Sequence, residues 1–374
     1  MLEKMLKTCK ASLVALVAVL LIAFAACGSD ANDVDYEAYV PEIVETYEPE
    51  EAPAEEEVQG NDGYIELEEE EYEAPPLGSN ITGAIHRVVY GGNVAYLFGT
   101  IHLSMEHWFP LADVVEDALL RADVVLVEVV EIALGTDYMA AAMMEFMFLP
   151  DGQTWAEFLP EDAYSHLVAL LPEWGMVYEA VNTMNPALLA YSWSLGLTMG
   201  LADAAIDLEF SVDSYIAEAA LSLGLPVIGL ENIEQQMEIG FNPPMDVMVA
   251  MVMNLSSPLA MMAEIIESDE LLVDDLARLY ENNDFQAMID SWARVMDPEY
   301  DHIFVTYMRE VISNWRSTYF ANEIARLLRE TAEPTTFFVA VGLSHIIRSS
   351  AGEGFTDIVQ QLTLQGFAAE PLWR

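Results

Sequence analysis

The chain has 374 residues, and its 63 acidic and 13 basic side chains give a formal net charge of −50. Such a charge repels phosphate backbones and anionic lipids, which argues against nucleic acid as a partner. The only cysteines are Cys9 and Cys27, so His, Asp, Glu, Ser and Thr remain for any chemistry in the folded part.

The first 27 residues have the layout of a secretory signal. Three Lys precede an almost unbroken apolar run from Ala11 to Ala26, which is short for a spanning helix of roughly 20 residues. Cys27 follows two Ala residues and resembles the lipidated cysteine of a bacterial lipobox. An uncleaved N-terminal anchor is the alternative. Both interpretations predict a protein attached to the cell membrane, with the rest of the chain outside the cytoplasm.

Residues 28–80 are rich in Glu and Asp, contain five Pro and have no Lys or Arg. A segment of this composition cannot bury enough apolar surface to offset the entropy lost on ordering, and its like charges keep it extended. We therefore expect a disordered acidic stalk between the membrane and a folded domain at 81–374.

The folded domain begins with a predicted β-hairpin, in which the runs 84–90 and 94–98 flank two Gly and an Asn. An amphipathic helix at 111–121 and a continuous β-branched run at 123–130 follow. Later in the chain, a helix at 211–223 precedes a short strand at 225–230, and a buried strand at 335–341 precedes a helix at 355–364 and a last strand at 366–372. This alternation predicts an α/β fold with a central sheet and flanking helices.

Two further segments are predicted to be mainly helical. The periodicity of residues 137–222 and 243–330 indicates a large helical insertion, with four helices in the second segment. The second segment is rich in Met, which is typical either of an adaptable core or of a groove for a ligand.

Four predicted strands end next to residues that can carry chemistry. His102 follows the strand that reaches Gly99, and His345 follows the strand that reaches Gly342. Glu128 and Glu231 end two other strands. Ligands of open α/β sheets bind at the carboxyl ends of the strands, so parallel neighbours would bring these side chains together. The two Gly should let the chain leave the sheet sharply, so that each His turns back over the strand end.

Two interpretations of this set are open. Two imidazoles and one or two carboxylates can hold a divalent metal, which could produce a hydroxide near neutral pH or polarise a carbonyl. Alternatively, one His acts as a general base oriented by Glu128. Glu231 can also be explained as the cap of the next helix, and Arg316 as one of several surface arginines.

The motifs resemble those of the TraB/GumN family, whose animal relatives are the Tiki proteins. The resemblance rests on Tyr96-Leu-Phe-Gly-Thr-Ile-His102, on Val124-Val-Leu-Val-Glu128, on the run from Gly224 to Glu231 and on Phe338-Val-Ala-Val-Gly-Leu-Ser-His345. It covers roughly residues 84–374 and implies a fold akin to the erythromycin-esterase and ChaN-like group.

The resemblance also implies functional roles. In Tiki proteins the paired Gly-x-x-His motifs and a Glu are linked to metal-dependent peptidase activity, with manganese or cobalt preferred. These positions correspond here to His102, His345 and Glu128. An Arg-Asn pair of the family resembles Arg316-Ser317, where Ser replaces the Asn.

The sequence therefore predicts a metal-dependent hydrolase that uses Mn, Co or Zn and acts on an extracellular peptide or protein. His102 and His345 would bind the metal, Glu128 would be a third ligand or the general base, and Arg316 could stabilise the oxyanion. The rival hypotheses are a non-catalytic lipoprotein that binds haem or another ligand, which the Met-rich helices suit, and a metal-free esterase-like hydrolase.

Overall fold

The computed structural model describes residues 81–133, 144–192, 206–207, 210–256, 273–295 and 302–373. The predicted signal peptide, the lipidation site at Cys27 and the acidic stalk lie outside the described residues. None of the helices in these ranges combines the length and the apolar character that a membrane span requires.

A mixed sheet forms the centre of the described part of the chain. Its strands are β1 (His86–Tyr90), β2 (Asn93–Thr100), β3 (Val124–Val127), β4 (Val227–Gly229), β5 (Thr336–Gly342) and β6 (Ala369–Pro371). They lie in the order β4-β3-β5-β2-β1-β6. The strands β2 to β5 are parallel to one another, while β1 runs antiparallel to both β2 and β6. The predicted hairpin and the predicted α/β class are therefore confirmed, and kinship with the erythromycin-esterase and ChaN-like group stays a prediction.

Of the parallel strands, β2, β3 and β5 are largely buried because helices cover the sheet, whereas β4 at its edge is partly exposed. In β5 the side chains of residues 337–341 are all buried, which suits the continuous apolar run in the sequence. The helix Arg316–Glu330 contributes Phe320, Ile324 and Leu328 to the same core. Each fully buried side chain of this kind contributes about 1.5–3 kcal/mol to folding.

Some helices begin at a residue whose side chain accepts a hydrogen bond from one of the first free N–H groups. Ser211 accepts a hydrogen bond from Ser214 N at 3.2 Å, and Asp357 accepts one from Gln360 N at 2.8 Å. In chain order, the α-helices of the described ranges are Asp113–Leu120, Val130–Ala133, Trp155–Phe158, Glu161–Trp174, Tyr178–Val181, Val212–Ser222, Ile233–Phe241, Met245–Met253, Val273–Glu281, Phe285–Val295, Ile303–Tyr307, Arg316–Glu330, Ser344–Ile347 and Ile358–Leu364.

The helices predicted for the insertion pack into two separate hydrophobic cores. Helices from 144–192 and 233–253 pack around a second cluster that includes Trp155 and Trp174. The helices Val212–Ser222 and Arg316–Glu330 instead pack in the core of the sheet. Of the Met-rich stretch, Met248 is buried in the second cluster, whereas Met245 and Met253 are exposed. The predicted helical segments therefore supply both a second core and part of the sheet core.

Candidate functional site

The carboxyl ends of β2 and β5 lie side by side. Thr100 pairs with Gly342 in the parallel register, and Leu343 N donates a hydrogen bond to Thr100 O at 2.8 Å. The turns that lead to His102 and His345 therefore start next to each other. On the other side of β5, β3 ends at Val127, and Glu128 follows it directly.

The two carboxylates that follow β3 and β4 are aligned in the same way. Val127 pairs with Gly229, and Glu231 N donates to Glu128 O at 3.0 Å. The predicted convergence of four strand ends is thus present in the described structure.

The glycines of the two Gly-x-x-His motifs lie where a Cβ atom would be crowded. Neither belongs to the residues with positive φ, so a special backbone conformation is not the reason for either. A Cβ on Gly99 would lie 2.5 Å from Leu343 Cδ1, and a Cβ on Gly342 would lie 3.2 Å from Glu128 Oε1. Gly342 thereby admits the Glu128 carboxylate, which accepts a hydrogen bond from Gly342 N at 2.7 Å.

The His102 side chain faces solvent, and its ring is hydrogen-bonded to Asp213. Its side chain is 63% exposed, and Nδ1 lies 2.9 Å from Asp213 Oδ2. Thr100 Oγ1 donates to Asp213 Oδ1 at 2.6 Å. The negative charge of Asp213 raises the pKa of His102 to about 9.

His345 lies in a different environment because it is buried. Its Nδ1 lies 2.8 Å from Ser317 Oγ, and its ring meets Phe320 edge to face with 5.3 Å between the ring centres. Its Nε2 lies 3.7 Å from Glu128 Oε1. Burial lowers the pKa of His345 to about 4, so this imidazole is neutral at neutral pH.

Arg316 joins the two glutamates in a buried triad. Its Nη2 donates to Glu128 Oε2 at 2.7 Å, and its Nε donates to Glu231 Oε1 at 3.0 Å. The Arg316 side chain is only 7% exposed, and it follows a π-helical segment at Met308–Trp315. Such segments occur often at functional sites.

The triad separates the pKa values of its two acids. Burial alone would raise the pKa of Glu128, but the charges of Arg316 and the nearby imidazoles together lower it far below its usual value. For Glu231 burial prevails over Arg316, so its pKa is raised. Burial alone would lower the pKa of Arg316, but the charges of both acids and the hydrogen bonds to them raise it above its usual value.

The chemistry of this donor set suits a divalent metal only in part. His102 and His345 each have Nδ1 engaged by a neighbour, which leaves Nε2 as the nitrogen that can bind an ion. Metal-binding histidines are usually oriented by such a hydrogen bond. Within the described ranges, however, no three His, Cys, Asp or Glu side chains already stand together as a metal site. Binding would require these side chains to approach one another.

The sequence predicted most of this site and missed one residue. His102, His345, Glu128, Glu231 and Arg316 all belong to it. Asp213 was not singled out, because an acid in the first turn of a helix is common for reasons of capping and dipole. Ser317, at the place of the family's Asn, contacts His345 directly. The remaining described histidines have partners elsewhere, which are Ala84 for His86, Glu281 for His107, Leu255 for His166 and Asn254 for His302.

Comparison with known proteins gives one match. The model of the TraB/PrgY/gumN family matches residues 84–371. No curated protein and no solved structure match the chain. The matched range extends over all six strands and includes every residue of the site.

Proposed function

Since this chain belongs to the TraB/PrgY/gumN family, we propose that it is a metal-dependent peptidase anchored through Cys27 to the outer side of the cell membrane. One observation carries the proposal. The imidazoles of His102 and His345 follow neighbouring parallel strands. Each Nδ1 has a hydrogen-bond partner, at 2.9 Å for His102 and 2.8 Å for His345. This arrangement supports a metal centre in which both Nε2 atoms are ligands.

In this proposal His102 and His345 hold a manganese, cobalt or zinc ion, which would polarise the scissile carbonyl and lower the pKa of a bound water. Glu128 would be the third ligand, because its Oε1 lies 3.7 Å from His345 Nε2. The net reaction adds water across a peptide bond, so the carbonyl carbon gains the oxygen and the leaving amine gains a proton.

Arg316 and Glu231 act through Glu128 in this scheme. The guanidinium is 7% exposed and already engages both carboxylates, so it positions Glu128 and does not approach the substrate. Glu231 in turn fixes Arg316. These roles differ from the oxyanion stabilisation that the sequence suggested for Arg316.

The test is metal analysis of the full-length protein, purified in detergent. We expect about one Mn, Co or Zn ion per chain in wild type, and loss of that ion in His102→Ala and His345→Ala. His166→Ala is the matched control, because His166 bonds the carbonyl of Leu255 outside the site. The proposal is wrong if both site variants keep the metal and the hydrolysis of a peptide library.

A second candidate is a metal-free hydrolase in which His102, oriented by Asp213, is the acid–base residue; with a pKa of about 9 it carries a proton at neutral pH, which it can donate to the leaving group. Two observations favour it: the described residues contain no preformed set of three metal ligands, and Arg316 occupies Glu128 Oε2. Hydrolysis that survives exhaustive chelation, and is lost in His102→Ala, would establish this candidate in place of the first.

A further inference from the structure

Asp213 connects three elements beneath the exposed imidazole. It belongs to the helix Val212–Ser222, is 7% exposed and accepts hydrogen bonds from His102 and Thr100. Thr100 is the last residue of β2 and is buried. One carboxylate thus ties the strand end, the turn and the helix together.

The two hydrogen bonds fix the carboxylate and the ring. An ionised carboxylate can only accept, so the bond of 2.9 Å from Nδ1 to Oδ2 requires the proton to be on Nδ1. The bond of 2.6 Å from Thr100 to Oδ1 prevents the carboxylate from rotating away. Asp213 is also in the first turn of its helix, where the helix dipole stabilises a negative charge.

The second imidazole lacks such a constraint. The partner of His345 Nδ1 is the Ser317 hydroxyl, which can donate or accept, so that contact does not decide which nitrogen carries the proton. His102 is also the exposed one of the pair, at 63% of its side chain. The arrangement therefore gives the two histidines unequal roles.

We propose that Asp213 is the positioning residue of this site, which holds His102 with Nε2 directed to the reacting groups, and that Thr100 keeps Asp213 in place. The inference rests on the proposed function only in taking His102 as a working imidazole. It applies equally whether Nε2 binds a metal or takes a proton.

The first test observes the proton on Nδ1 in metal-free, full-length protein in detergent. Proton NMR should show a slowly exchanging downfield imidazole N–H resonance in wild type that is absent from His102→Gln. We expect its loss in Asp213→Ala and its retention in Asp213→Asn, because an amide oxygen can still accept from Nδ1 while its NH₂ group faces Thr100. Asp357→Ala, which removes another buried Asp that bonds Gln360 and Ser349 instead of His102, should keep the resonance.

The second test measures the dissociation constant for Co²⁺ by equilibrium dialysis. Loss of an outer-shell partner should weaken binding about 10–100-fold in Asp213→Ala, with Asp213→Asn and Asp357→Ala close to wild type. The positioning role is overturned if Asp213→Ala keeps the Nδ1 resonance. If wild type itself binds no Co²⁺, the metal proposal fails, and the resonance still decides the role of Asp213.

Discussion

Replacing Arg316 by Met should destabilise the protein strongly, because it leaves two buried carboxylates without their shared cation. The Glu128 and Glu231 side chains are 10% and 2% exposed, and the guanidinium between them is 7% exposed. Removing one partner of a buried pair costs about 3–5 kcal/mol, and Met retains most of the apolar volume of the Arg stem. With a urea m-value near 3 kcal/mol/M, the unfolding midpoint should fall by about 1–2 M.

The same helix offers a matched control for this substitution. Arg326 also pairs with two glutamates, Glu323 and Glu330, but its side chain is 42% exposed. Exposed pairs contribute about 0–1 kcal/mol, so Arg326→Met should shift the midpoint only slightly. Adding Glu231→Gln to Arg316→Met should restore part of the loss, because it removes one of the uncompensated charges. Equal midpoints for Arg316→Met and Arg326→Met would refute the buried triad as a source of stability.

Three other substitutions probe the strand ends. The pKa of Glu128 is lower in the native than in the unfolded state, so the unfolded state binds more protons and stability falls as the pH drops below about 4.5. Glu128→Gln removes this contribution. Urea midpoints measured between pH 5 and 3 should therefore show a loss of stability that is shallower than in wild type by up to about 1.4 kcal/mol per pH unit. An unchanged slope would contradict the depressed pKa. Gly99→Ala should lower stability by about 1–3 kcal/mol, because its Cβ would lie 2.5 Å from Leu343 Cδ1. The control is Gly240→Ala, in a helix with open space around the residue, which should instead raise the urea midpoint. Equal effects of the two substitutions would argue against crowding at Gly99. Gly342→Ala should change stability by less than about 1 kcal/mol but lower kcat/KM about tenfold or more, since it displaces Glu128; full activity would show that the carboxylate tolerates the shift.

The sheet was largely predictable because its parallel strands coincide with apolar runs of the sequence. The helix predicted at 211–223 is found at Val212–Ser222, and the strand predicted at 335–341 is found at Thr336–Gly342. Boundaries shift where pairing extends a strand beyond its apolar run. For example, β2 continues past Phe98 to Thr100 because Gly99 and Thr100 pair with β5.

Without the family resemblance, which added Arg316, the site was predictable only where residues follow strands. Parallel strands bring their carboxyl ends to one edge, and this rule gathers His102, Glu128, Glu231 and His345 without further information. Asp213 reaches the site from a helix, so its role depends on how that helix packs. The bond from Arg316 to the two glutamates depends on packing too, because its helix could present that residue to solvent or to the sheet.

The charges of the site indicate what it must acquire before it can catalyse hydrolysis. Asp213, Glu128 and Glu231 supply three negative charges to the site, and Arg316 supplies one positive charge. His102, whose pKa is raised to about 9, adds a second positive charge at neutral pH, so the site without a metal carries a charge of −1. Uncompensated buried anions are unfavourable, and an oxyanion that develops beside them would be more so. A divalent cation that replaced the Nε2 proton of His102 would bring the charge to zero, whereas the proton on His102 leaves one negative charge uncompensated. The two candidate functions therefore differ in which positive charge offsets the same three carboxylates, and either charge must be in place before the site can stabilise an oxyanion.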